Sequence, residues 1–264
     1  MDKSGLLEHV KSIARAAGAA IMAFYRQTDL GITHKADDSP LTLADQASNQ
    51  IICESLKRLL PVFPIISEEN RALAYSGRRG FEYAWLVDPL DGTREFIAGN
   101  EDFTVNIALL KGNRPELGVV FVPALGEIYW AGRDMGAFGE YEGRVHTLQA
   151  ANFDFSSPGL RVLCSRSHAD ARTAAFIERL DAPERISRGS ALKFMLLARG
   201  DAELYPRMGP TMEWDTAAAQ IIVEEAGGWV VDAETKLPLT YNKEELRNPY
   251  FIAAGKSVTN PLVW

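Results

Sequence analysis

Trp85-Leu86-Val87-Asp88-Pro89-Leu90-Asp91-Gly92-Thr93 decides how the rest of this chain is read. Three apolar residues of strand type run into two carboxylates three positions apart. Pro89 sets one φ angle and Gly92 permits a tight bend or close backbone approach, so the chain turns where both acids sit. Such a turn can gather both carboxylates and the Leu90 carbonyl about one point. That suits Mg²⁺, which takes hard oxygen ligands in near-octahedral array and is often completed by substrate phosphate. Asp, Pro and Gly are equally the residues of an ordinary Asx-type turn. The stretch alone does not separate the two readings.

Further acids occupy comparable settings. Glu68-Glu69 follows the apolar Ile65-Ile66-Ser67, Asp45 falls in the first turn of a helix, and Asp215 follows Trp214 where another helix starts. Helix N-termini favour acids for dipole reasons alone. Spacing by itself does not bring the four segments together.

Leu6, Val10, Ile13, Ala17, Ile21 and Phe24 recur at helical intervals and predict one long amphipathic helix. A second begins near Thr42, a good N-cap, carries Ala44, Ala47, Ile51, Ile52, Leu56 and Leu59, and ends before Pro61 and Pro64. Strand signals follow at Ile65-Ile66, Trp85 to Val87, Thr104 to Leu110, Gly118 to Val122 and Glu127 to Trp130. The later runs have the spacing of an antiparallel meander. Between Asn70 and Phe81 a charged stretch with Gly77-Arg78-Arg79-Gly80 reads as a mobile, solvated loop, or a flap over substrate. Past Leu160 strands and helices alternate: strands near Arg161–Cys164, Arg185-Ile186, Ala202–Tyr205 and Trp229–Val231, with helices over Ala169–Leu180, Ser190–Ala198 and Thr216–Glu225. That is a layered α/β pattern. The change of rhythm predicts an N-terminal α+β half, 1–150, and a C-terminal α/β half, 151–264.

The 264 residues are 47% hydrophobic and 24% charged, enough for a sizeable core and too apolar for disorder. A formal net charge of −7 argues against a nucleic-acid polymer as partner. A small anion is different, because bound cations reverse the field inside one pocket. No run reaches the ~18–20 apolar residues of a membrane span, and the first residues hold no signal-peptide core. Cys53 and Cys164 read as reduced core thiols, which suits a cytoplasmic protein. His9 and His34 read as surface residues, His146 as part of a polar turn, and Trp85 and Trp130 as core.

Taken together, Asp88 to Thr93, Glu68-Glu69 and Trp214-Asp215 resemble the metal signature of the lithium-sensitive inositol monophosphatase superfamily. The resemblance extends over nearly the whole chain. It implies an α/β (α+β) fold, the layered α-β-α-β-α sandwich of the sugar-phosphatase type. Ser39 to Asp45, Trp85 to Ile97, Phe103 to Leu109, Ser165 to Asp170, Gly189 to Phe194 and Leu204 to Arg207 resemble its bacterial 3′(2′),5′-bisphosphate nucleotidase branch. Arg94 stands where that branch often has Lys, and Ala191 where it often has a second Ser. Those enzymes are phosphoric monoester hydrolases that convert adenosine 3′,5′-bisphosphate, a by-product of sulfate assimilation, to AMP.

By that resemblance Glu68, Asp88 and the Leu90 carbonyl hold a first Mg²⁺, and Asp88, Asp91 and Asp215 a second; a third ion fits the pattern. Asp45 and Thr93 orient a metal-activated water for in-line attack, with Glu68 and Asp91 in the catalytic set. Glu68, Leu90, Asp91, Gly92, Thr93 and Asp215 meet the substrate at the metal end. His168, Ser190, Lys193 and Arg207 meet its nucleotide and 5′-phosphate end. Read without the resemblance, Ser167 and Ser190 are N-caps, and Lys193 and Arg207 are surface cations. A homodimer and a peripheral association with the inner membrane are both compatible with the pattern. Competing readings are an inositol-phosphate or sugar-bisphosphate phosphatase, and an inactive phosphometabolite binder.

Overall fold

Leu7, Val10, Ile13, Ala14, Ala17, Gly18 and Ile21 form the stripe that helix α1 (Lys3–Phe24) buries, and Asp2 caps its start by accepting from Gly5 N–H. The computed structural model describes residues 2–27, 29–35, 39–70, 73–166 and 170–257. A short hairpin of β1 (Thr33–His34) and β2 (Pro40–Leu41) leads into α2 (Leu43–Leu56), with Thr42 as its N-cap. Then come β3 (Ile65–Ser67), α3 (Tyr75–Arg78), β4 (Tyr83–Asp91), α4 (Thr93–Ile97), β5 (Thr104–Lys111), β6 (Arg114–Val122), β7 (Glu127–Gly132), β8 (Gly136–Tyr141) and β9 (Arg144–Thr147). Strands β3 to β9 form one sheet in sequential order, parallel at β3–β4 and antiparallel beyond.

The remaining elements are β10 (Asn152–Phe153), β11 (Arg161–Ser165), α5 (Ala171–Ile177), β12 (Glu184–Arg188), α6 (Leu192–Arg199), β13 (Leu204–Arg207), α7 (Glu213–Glu225), β14 (Trp229–Asp232), β15 (Phe251–Ala254) and β16 (Lys256–Ser257). A second sheet has the order β12-β11-β13-β15-β14. Its first three strands are parallel, and β15 runs antiparallel to both neighbours.

Alternation along the strands builds the layers. Trp85, Val87, Val105, Ile107, Leu109, Val119 and Phe121 share a core with α1 and α2. Their neighbours Ala84, Leu86, Ala108, Leu110, Val120 and Val122 share another with α6, α7 and the inner face of the second sheet. Val162, Leu204 and Ala254 bury the outer face beneath α5 residue Ile177. The order is helices, sheet, helices, sheet, helix: the α-β-α-β-α sandwich. Gly118 is where β6 and α7 meet most closely, since a Cβ there would lie 2.4 Å from the Ala218 carbonyl oxygen. Among the described residues no helix is long and apolar enough to cross a membrane.

The meander continues two strands past Trp130, through β8 and β9. Their glycines and half-exposed positions blur the period-two signal. His146 belongs to β9, not to a turn, and stacks on Tyr141 with ring centroids 4.0 Å apart. The helix expected from Ala169 starts at Ala171, capped by Asp170 through Thr173 N–H. Cys53 is buried and Cys164 partly so, both unbridged; Trp85 and Trp130 lie in the core.

The loop after Asn70 is corrected most. Arg78 is neither solvated nor a flap: it is 3% exposed. Its guanidinium donates to Asn242 Oδ1 at 2.8 Å, the Lys243 carbonyl at 2.6 Å and the Glu244 carbonyl at 2.8 Å. These partners flank Glu213, whose carboxylate accepts from the Asn242 and Lys243 amides at the start of α7. Arg78→Ala strands several polar groups and should cost about 2–4 kcal/mol. Urea denaturation measures it, and an unchanged midpoint would remove Arg78 from the fold's supports.

Candidate metal centre and substrate cleft

Two residues three apart on a regular strand point to opposite faces. Asp88 and Asp91 escape this through a bulge. Asp88 pairs with Asn106 and Asp91 with Thr104, so β4 takes three steps where β5 takes two. Leu86 accordingly packs toward α7 while Leu90, four residues on, packs toward α1 and α2. Ser48 Oγ donates to the Pro89 carbonyl at 2.7 Å and pins the bulge. Gly92 follows at φ 93°, in the left-handed region glycine tolerates, and a Cβ there would lie 2.9 Å from the Asp102 carbonyl oxygen.

A cleft of about 260 Å³ opens beside this bulge, lined by Glu68, Asp88, Asp91 and Asp215 together with Thr93, Ser190, Lys193 and Arg207. Asp88 is 1% exposed. Burial, then the charges of Glu68, Asp91 and Asp215, push its carboxyl well above the usual carboxylate range. Burial also raises Asp215 strongly, followed by the charges of Asp91 and Glu68. Asp91 is raised by burial too, against the pull of Lys193 and the Ala191 amide. A cation among these acids would relieve both their burial and their mutual repulsion.

Among the described residues, no three acidic, histidine or cysteine side chains are drawn in as a finished metal cage. Lys35 Nζ lies 2.6 Å from both Glu68 Oε1 and Glu69 Oε1. Burial works to lower the Lys35 pKa, but the two glutamates outweigh it and hold the ammonium charged. The donor set still fits a hard divalent cation. Its described members are carboxylates, the Leu90 carbonyl and a hydroxyl, with neither thiol nor imidazole.

Asp45 and Asp215 serve as helix acids and site acids at once. Asp45 Oδ2 accepts from Thr42 N–H at 2.7 Å, closing a capping box, while Oδ1 accepts from Thr93 Oγ1 at 3.1 Å. Burial raises its pKa against the lowering bonds from Thr42. Asp215 Oδ2 accepts from Met212 N–H at 2.8 Å at the start of α7. The other oxygen of each carboxylate is spared by the cap. Thr93 Oγ1 also lies 3.2 Å from the Leu90 carbonyl.

On the same cleft Lys193 and Arg207 are 4% and 7% exposed, so the surface-cation reading falls. Burial lowers the Lys193 pKa to about 8 against the attraction of Asp91, and Lys193 Nζ donates to the Ser190 carbonyl at 2.8 Å. Ser190 caps nothing: α6 begins at Leu192, Ser190 has φ 42°, and its buried Oγ has no hydrogen-bond partner. Ser167 and His168 lie outside the described residues. Lys35, Thr104 and Asn106 were not singled out from the sequence. Lys35 pairs with acids more than thirty positions away, and the other two are ordinary strand residues until the bulge turns Asp91 toward them.

The layered fold and this carboxylate-lined cleft describe one class. A sequence model of the inositol monophosphatase family matches residues 2–261, and the chain belongs to that family. Among its relatives is the 3′(2′),5′-bisphosphate nucleotidase CysQ of Escherichia coli K12. It is 43% identical over 248 residues, spanning 93% of this chain and 98% of the relative. The enzyme of the same name from Haemophilus influenzae is 35% identical, over 95% of this chain and 93% of its own length. The crystal structure of CysQ from Bacteroides thetaiotaomicron superposes with a TM-score of 0.85 at 36% identity, covering 97% and 98% of the two chains. An inositol monophosphatase from Anabaena superposes at 0.76 with 26% identity, covering 97% and 92%.

Proposed function

We propose that this chain is a divalent-cation-dependent 3′(2′),5′-bisphosphate nucleotidase that hydrolyses the 3′-phosphate of adenosine 3′,5′-bisphosphate to AMP and phosphate. The observation that carries the reading is one cleft with two chemistries. Mutually repelling carboxylates line it together with the buried cations Lys193 and Arg207 and the unpartnered Ser190 hydroxyl. A monophosphate ester would leave these cations without a second phosphate to hold. Identity of 43% to nucleotidases over most of the chain supports the same choice.

Glu68, Asp88, Asp91, Asp215 and the Leu90 carbonyl are the residues we assign to two Mg²⁺ ions, in keeping with their oxygen chemistry. Bound there, the cations supply the charge that acidifies a water and offsets the departing alkoxide. Thr93 donates its hydroxyl hydrogen bond to Asp45 Oδ1 or the Leu90 carbonyl, which leaves its oxygen lone pairs to accept from and orient the attacking water. We take the two sheets as halves of one enzyme divided near residue 150, and we assign it to the cytoplasm on its two unbridged thiols.

Phosphate release from adenosine 3′,5′-bisphosphate, inositol 1-phosphate and fructose 1,6-bisphosphate, with and without Mg²⁺, tests the reading. A higher kcat/KM for the nucleotide is expected; equal or reversed preference would overturn it. Cation binding also has a readout without turnover. The raised carboxyl pKa values mean that the folded state binds more protons than the unfolded one. Stability without metal therefore falls as pH rises from about 4 through the folded pKa values. Mg²⁺ should raise the melting temperature more at pH 8 than at pH 5. One site at a hundredfold excess over Kd gives about 2.7 kcal/mol. A Mg²⁺ effect absent at both pH values would remove these carboxylates as ligands.

A further inference from the structure

Asp102 is a buried carboxylate, 3% exposed, that does not line the cleft yet touches two of the segments that do. Its Oδ2 accepts from Gly189 N–H at 2.9 Å and lies 2.9 Å from Arg166 Nη2. Its Oδ1 lies 3.7 Å from Arg188 Nη1. Its carbonyl oxygen is wedged between two glycines: a Cβ would come within 2.9 Å of it at Gly92 and 2.7 Å at Gly189. Beyond Gly189 the loop carries Ser190, whose Cβ would meet a Cβ on Gly92 at 3.3 Å, and Ala191, whose amide donates to Asp91 Oδ2 at 2.6 Å. Glu95 adds a parallel tie, 3.5 Å from the same Arg166 and accepting from Asn100 Nδ2 at 2.6 Å.

We infer that Asp102 is a positioning residue that holds the Gly189-Ser190-Ala191 loop against the Asp91-Gly92-Thr93 turn, and so sets the spacing between Ser190 and Lys193 on one side and the metal-assigned turn on the other. The inference rests on the proposed function, in which Ser190, Lys193 and Arg207 hold the substrate's second phosphate. A bisphosphate must meet the metal-assigned turn and this loop at once, so a shift of the loop by a fraction of an ångström is felt chiefly as lost grip. Arg166 and Arg188, both reaching in from the surface, compensate the buried Asp102 charge while its Oδ2 takes the Gly189 amide, so removing the carboxylate leaves that amide without its acceptor.

The test compares Asp102→Ala, Asp102→Asn and Gly189→Ala with the parent enzyme at saturating Mg²⁺. Asp102→Ala should raise KM about tenfold while kcat and the Mg²⁺ concentration for half-maximal activity stay within about threefold. Asp102→Asn retains an oxygen for the Gly189 amide and should recover most of the KM. Gly189→Ala pushes the loop off the Asp102 carbonyl without altering the carboxylate, and should raise KM in the same direction. An unchanged KM in Asp102→Ala overturns the inference, as does a parallel loss of kcat, KM and Mg²⁺ affinity. If Asp102→Ala does not fold, an unchanged KM in Gly189→Ala overturns it instead. If the parent prefers another phosphate ester, the nucleotide reading fails, and the same comparison on that ester still decides the role of Asp102.

Discussion

Asp91→Asn should lower kcat by on the order of 10²–10³ or more while leaving the fold intact. The substitution keeps size and shape. Its remaining oxygen can still accept the Ala191 amide, now at 2.6 Å, and lie near Asn106 Nδ2 and Thr104 Oγ1, at 3.4 and 3.5 Å. What disappears is one negative charge from a set assembled to face cations. Because Asp91 raises the carboxyl pKa values of both Asp88 and Asp215, removing it relieves repulsion. The metal-free variant should therefore melt no lower than the parent, while its stabilisation by Mg²⁺ shrinks. Loss of activity with a lower metal-free melting temperature would mark a structural role, and full activity would remove Asp91 from the mechanism.

Lys193→Ala should raise KM for the bisphosphate nucleotide by about 10–100-fold, since a buried charge-assisted contact is lost. KM for a substrate without the 5′-phosphate should change little, and parallel losses would reject the assignment. The pH dependence is more specific. Burial lowers the Lys193 pKa from 10.5 to about 8, so the folded enzyme sheds this proton where an unfolded chain keeps it. Its burial penalty on stability is complete below about pH 8 and is relieved as pH rises toward 10.5. The grip on an anion runs the other way, strongest below about pH 8 and weakening above it. KM for the bisphosphate should climb through that range in the parent and stay flat in Lys193→Arg, whose charge persists. A climb that survives the arginine substitution would point to another group.

Some residues carried two roles, and a sequence displays only one at a time. Asp45 and Asp215 look like helix-start acids and are; Asp215 also lines the cleft, and the second oxygen of Asp45 takes the hydroxyl of Thr93, which does. Arg78 shows the opposite failure. In a charged, glycine-flanked stretch it reads as solvated, and only Asn242, Lys243 and Glu244, more than 160 positions away, explain its burial. Read without the resemblance, Lys193 and Arg207 are surface cations for the same reason: burial of a charge is decided by its surroundings.

The Asp88–Thr93 stretch, which alone reads equally as a turn, marks the line between the two kinds of information. By itself the sequence determined the order and type of most elements, because apolar spacing is local and records which face each must bury. It also determined the family, through short segments whose combination is specific. Only the tertiary structure decided that β4 bulges after Asp88, which turns Asp91 to the same cleft. It alone set Lys35 on Glu68, and Asp102 between the two glycine turns. Those are distances between parts remote along the chain, and they exist only once the layers have packed.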